Sequence, residues 1–146
     1  MSATPYPRRW PTDPGALQIF DDSLRRCTAD SRFFDRFYER FLSSSPKVRE
    51  KFAGTDFVRQ KRALSASLHL ILLVADDPAK APDRYLAEVA ERHSSRQLGI
   101  GAELYDLWLD SLLATVREFD AEFSPAVEQA WEDVMAIGIR FLCSRY

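Results

Sequence analysis

The residues able to do chemistry are few. Two histidines and two cysteines occur among 146 residues, so any histidine-based metal centre must use His69, His93 or both. The chain has no glycine-rich phosphate loop, no G-x-S-x-G elbow, no H-E-x-x-H and no cysteine pairs at zinc-ligand spacing. His93 stands four residues after Val89 and seven after Leu86. A helix carrying all three therefore projects the imidazole from its apolar face. A turn through Leu98-Gly99-Ile100 and an aromatic-bearing helix follow, which together could wall a flat apolar slot. His69 follows Gln60 by nine residues, half a circle away at about 100° per residue. Where Gln60 faces a pocket, Leu64 and Leu68 share its face and His69 points outward, as a boundary histidine at a helix contact.

Such residues need helices to hold them, and the apolar spacing is helical nearly throughout. Residues 1–13 carry three prolines and no periodicity, so they read as a flexible arm ahead of a domain spanning 14–146. Leu17, Phe20, Leu24 and Cys27 make one helical face. Asp30 or Ser31 is expected to cap a second helix with Phe33, Phe34, Phe37, Tyr38, Phe41 and Leu42, stopping at Ser45-Pro46. After a short segment to Phe52 and a loop at Gly54, a long helix should start near Asp56. Its buried stripe is Phe57, Leu64, Leu68, Ile71 and Leu72. Asp83 opens a helix through Val89 to His93. The next carries Leu104, Leu107, Trp108, Leu112 and Val116. Ser124-Pro125 starts the last, with Val127, Trp131, Val134 and Phe141. No run alternates with period two between hairpin turns, so the reading is an all-α domain of six or seven helices.

Composition narrows the class. Apolar residues make up 46% and charged residues 29%, as in soluble globular domains. Twenty basic and twenty-two acidic side chains give a net charge of −2, no electrostatic reason to expect nucleic acid or an anionic membrane as partner. The charges should lie mostly on solvated faces opposite the apolar stripes. The apolar stretch from Leu68 to Ala75 is interrupted by His69 and far short of the ~20 residues that span a bilayer. Neither a secretory nor a twin-arginine signal fits the first residues, so a cytoplasmic location is expected. Cys27 and Cys143 read as free thiols, exposed enough to serve a partner.

With these residues in order, the chain resembles bacterial single-domain globins and the globin domain of flavohaemoglobins. Phe37-Tyr38-Glu39-Arg40-Phe41-Leu42, then Pro46, then Lys47 through Phe52, is similar to their B helix and CD corner. Glu91-Arg92-His93, Leu98-Gly99-Ile100 and Tyr105 are similar to their F helix, FG corner and G-helix start, and Trp131 to an H-helix tryptophan. The resemblance spans residues 15–146 and implies a globin fold of six to eight helices around a haem pocket. It makes His93 the proximal iron ligand, Tyr38 the distal tyrosine and Phe52 the ring stacked on the haem. A one-residue shift in the CD loop selects Arg59 or Gln60 as the distal E-helix residue. Gln60 is preferred, because Leu64 then fills the apolar position one turn later, whereas Arg59 would bring Ala63 there.

The implied cofactor is haem b, held without covalent attachment because no C-x-x-C-H site exists. Phe52, Leu64, Val89, Leu98 and Ile100 would wall the macrocycle, with Tyr105 at the start of the G helix. Its propionates would call on Lys61, Arg62, Arg92 or Arg96. The implied function is reversible binding of O2 and related ligands such as NO and CO. The alternatives are NO dioxygenation with an external reductase, since no flavin or nicotinamide domain is present, and gas or redox sensing. A monomer and a homodimer both remain open.

Overall fold

A computed structural model describes residues 14–76 and 101–144. These form six helices and, among the described residues, no strand: α1 (Pro14–Thr28), α2 (Phe33–Ser44), α3 (Pro46–Lys51), α4 (Phe57–Asp76), α5 (Ala102–Phe119) and α6 (Pro125–Ser144). The helix expected from Asp83 to His93 lies outside the described residues, as do the arm, the Phe141 side chain and that of Cys143.

Each helix buries the stripe that its spacing marks. Phe20, Leu24 and Cys27 of α1, Phe33, Phe37 and Phe41 of α2, and Leu64, Leu68 and Ile71 of α4 enter one core. Leu112 and Val116 of α5 and Trp131, Val134, Met135 and Ile137 of α6 complete it. In this arrangement α6 packs on both α1 and α4, while α2 packs on α5. Gly138 permits the approach of α4 to α6, since a Cβ there would lie 3.1 Å from Ile71 Cγ1.

Three of the helix starts are capped by the side chains that their sequence offers. Ser45 is extended and its hydroxyl accepts from the Lys47 N–H at 3.1 Å, with Pro46 at the first helical position. Asp56 Oδ1 accepts from Val58 N at 3.1 Å and Arg59 N at 3.4 Å, capping α4. Ser124 Oγ accepts from Val127 N at 3.3 Å and caps α6. At α2, however, Arg32 occupies the cap position and no side chain caps the helix. Asp30 stands two residues too early, so its carboxylate takes the Arg32 N–H at 2.9 Å and the guanidinium at 2.7 Å instead. Ser31 is exposed. Asp56→Ala is expected to cost about 1 kcal/mol, seen as a lower urea midpoint at unchanged m-value.

Among the described residues Asp120, 3% exposed, is the exception to charges that mostly lie on solvated faces. Its Oδ2 accepts from Ser23 Oγ at 2.6 Å and Arg26 Nη2 at 2.9 Å; Oδ1 accepts from Arg26 Nε at 2.6 Å and Glu122 N at 2.9 Å. Trp131 Nε1 in turn donates to Ser23 Oγ at 2.9 Å. A single carboxylate thus joins α1, α6 and the end of α5. Cys27, fully buried nearby, is not a surface thiol; burial, then Asp120, pushes it up to about 12.

Candidate functional site

The site begins where α2, the turn after α3 and the first turn of α4 meet. Glycine is required in that turn: Gly54 has φ +78°, and Thr55 N bonds back to Phe52 O at 3.1 Å. This brings the Phe52 and Phe57 rings together, stacked at 6.1 Å between centroids and 24° between planes. Tyr38 of α2 sits edge-on to both, at 6.0 Å from Phe52 and 5.4 Å from Phe57, with Phe37 behind it at 4.9 Å. Phe41 contacts Phe52 from the next turn at 5.7 Å.

Tyr38 is 4% exposed, so its hydroxyl has little access to bulk water. Among the described residues its partner is the Gln60 carbonyl at 3.5 Å, long for an O–H···O bond. Burial pushes the phenol up to about 12, with hydrogen bonding to Gln60 opposing. The group is therefore a neutral donor at every physiological pH, held in an aromatic wall and, among the described residues, met only by a long bond.

The other expected residues fall as follows. Gln60 is half-buried beside Tyr38, whereas Arg59 is exposed. Leu64 is 6% exposed and Leu68 fully buried on the core side of α4. Tyr105 is 6% exposed at the start of α5. Lys61, expected at a propionate, pairs with Asp35 of α2, and Arg62 is exposed. His69 is exposed, its Nδ1 2.8 Å from the Ser65 carbonyl of its own helix. His93, Val89, Leu98, Ile100, Arg92 and Arg96 lie outside the described residues.

Phe57 is the site residue that sequence reasoning placed only in the core. The signal was its position one residue after the Asp56 cap and three before Gln60, which puts it on the face that looks back at α2. Behind the site, α2 is tied to α5: Arg40 Nη1 donates to Thr115 Oγ1 at 3.2 Å, and its Nη2 pairs with Glu118. Arg36 Nε reaches the same carboxylate at 3.1 Å.

A separate open hollow is lined by Asp30, Arg32, Asp35, Arg36, Glu39, Glu118 and Phe119. Its charges are matched internally, Asp30 with Arg32, Arg36 with Glu39 and Glu118, and Asp35 with Lys61. It therefore offers a ligand little that is unsatisfied. Among the described residues no group of three or more His, Cys, Asp or Glu is placed to hold a bare metal ion. What the described residues bring together is an aromatic wall, the apolar Leu64 and one buried phenol with a long bond to the Gln60 carbonyl.

The fold is all-α, with a buried tyrosine hydroxyl where its second and fourth helices meet. The globin family model matches residues 35–139. A crystal structure from Pseudomonas aeruginosa PAO1, described as highly homologous in structure to a human hemoglobin, is 40% identical. That match covers 90% of this chain and 98% of the other, with a TM-score of 0.84. Curated protein sequences give no match. The chain belongs to the globin family. Membership implies haem binding in general and small gaseous ligands.

Proposed function

We propose that this globin binds haem b and holds O2 reversibly between α2 and α4. Tyr38 and Gln60 donate to the ligand, and His93 ligates the iron. The observation that carries the reading is the Tyr38 hydroxyl, buried in aromatic rings with only a long contact to the Gln60 carbonyl. Haem, when bound, supplies an iron that takes diatomic ligands. The protein's share is polar and steric. Tyr38 keeps its proton across the physiological range and directs it at partial negative charge in the pocket. Gln60 supports the phenol through its carbonyl, and its half-buried amide is a second donor at the same position. Phe52, Phe57 and Leu64 exclude water and present apolar faces to the macrocycle; such burial contributes about 25 cal/mol per Å². His93 would hold the iron through one ring nitrogen of a neutral imidazole, leaving the other N–H to donate a hydrogen bond.

The strength of this donor set favours a second reading. A pocket that releases O2 slowly suits NO detoxification, in which O2 and NO are consumed to give nitrate and an external reductase restores the iron. The chain's residues would hold the reactants together and dry; the electron comes from outside.

The test is the absorption spectrum of the purified protein in ferric, dithionite-reduced and CO-bound forms, beside His93→Ala. The reading expects a strong Soret band that shifts with CO and collapses or changes form in the variant. A protein that neither carries nor takes up haem overturns it. An unaltered spectrum in His93→Ala removes His93 from the iron.

A further inference from the structure

Between residues 47 and 62 the chain has six cations and two carboxylates, although the whole sequence carries −2. Five of the six, Lys47, Arg49, Lys51, Arg59 and Arg62, are exposed, while Lys61 pairs with Asp35. The Phe52–Phe57 contact fixes the end of α3 against the start of α4, so this charge surrounds one corner of the molecule. At that corner Val58 is 62% exposed, the only exposed large hydrophobic residue among those described. Arg62 is one turn along the same face of α4.

The fold does not ask for this arrangement. A helix N-terminus favours acidic side chains, yet the first turn of α4 contains none and carries Arg59. Asp56 is already committed to the Val58 and Arg59 amides. An exposed apolar residue ringed by cations, at a site where local stability argues for the opposite charge, has the form of an interface.

We infer that the α3–α4 corner is the docking surface for an acidic electron-transfer protein, an inference that rests on the proposed haem site. The position supports this occupant. The half-buried Phe52 and Phe57 rings, which touch Tyr38, lie at the same corner, so a protein seated there stands against the aromatic edge of the pocket. A membrane is the poorer occupant, because one valine is too little apolar surface for an interfacial helix.

The experiment uses the haem-loaded protein with oxidised flavodoxin and ferredoxin, both acidic, as probes. Binding is measured by titration calorimetry at low and high salt. The inference expects binding at low salt that weakens as salt rises. Lys47→Glu/Lys51→Glu, two exposed positions four residues apart on α3, should bind about tenfold more weakly or worse, and Val58→Glu should also lose affinity. Arg25→Glu, on the exposed side of α1, should not differ from wild type. The CO spectrum of every variant should be unchanged, which separates loss of docking from loss of the pocket. Binding of neither probe overturns the inference. So does equal loss in Arg25→Glu, salt-dependent self-association through this face, or capture by phosphatidylglycerol vesicles in place of the proteins.

Discussion

Asp120→Asn is expected to lower the stability of the folded chain by about 3 kcal/mol, measured as the shift in urea midpoint at neutral pH. The substitution preserves shape but replaces one carboxylate oxygen with an N–H group. At the Oδ1 position that group would confront Arg26 Nε and the Glu122 N–H, and at the Oδ2 position the Ser23 hydroxyl and Arg26 Nη2, all of which now donate to Asp120. The Asp120 side chain is fully buried, so water cannot repair the mismatch. Arg26 is 29% exposed and has Glu122 at 3.6 Å, so part of its loss is screened. This holds the estimate to the lower end of what breaking a buried pair costs. The Trp131 N–H bond to Ser23 should weaken with it.

The same carboxylate gives stability an acid edge. Burial pushes the Asp120 carboxyl up, but the Arg26 and Ser23 hydrogen bonds and the Glu122 N–H outweigh burial and hold it below the usual range. Its folded pKa is therefore below its unfolded one. The contribution is fully present above the ordinary aspartate value of about 4 and is lost as pH falls through the folded value. The wild type should lose stability steeply below about pH 4, and Asp120→Asn should flatten that part of the profile. An unchanged midpoint and profile would mean that Asp120 is not in this junction. Asp30 is also held down, to about 2, by hydrogen bonds to Arg32, but that pair is on the surface and screened.

The helices were legible in the sequence because each buries one face, and a repeat of 3.6 residues is visible without knowing what covers it. The α3 cap and the starts of α4 and α6 were legible because Ser45-Pro46, Asp56 and Ser124-Pro125 act within three residues of themselves. The α2 cap was misread for the same reason in reverse. Asp30 has the right chemistry, but its distance from Phe33 decides that it closes a turn on Arg32. Tyr38 was legible as a site residue only through the resemblance to globins, carried by its place ahead of Pro46 and Phe52. Asp120 was not. A carboxylate just beyond Phe119 looks like an ordinary exposed turn, and its partners lie 94 and 97 residues away. Ser23 was the available clue: it stands among Phe20, Leu24 and Cys27, and a hydroxyl inside a buried stripe needs a partner. The exposed cations at the α3–α4 corner were legible as charges. The exposed Val58 and the filled Asp56 cap among them required the fold.

Tyr38→Phe is expected to speed O2 release tens-fold while leaving stability unchanged or slightly higher. The two halves of this prediction come from one feature of the geometry. The Tyr38 hydroxyl lies 3.5 Å from the Gln60 carbonyl, too far to recover much of what burying it cost. Phenylalanine would keep the ring contacts with Phe37, Phe52 and Phe57 and shed a polar atom that, among the described residues, has only this long bond. The urea midpoint should therefore stay level or rise, by less than about 1 kcal/mol. Ligand release should respond in the opposite sense. A hydrogen bond to partial charge in a water-poor pocket is worth about 1.5–3 kcal/mol, which converts to a factor of about ten to over a hundred. Gln60→Leu should accelerate release less, since it leaves the phenol and the backbone carbonyl in place. Stopped-flow displacement of O2 by CO reads the rate, and urea titration of the same preparations reads the stability. A hydroxyl serving only the core would give the reverse pattern, a lower midpoint and an unchanged rate. Faster release without a loss of stability would identify Tyr38 as a donor that the fold maintains at its own expense for the ligand.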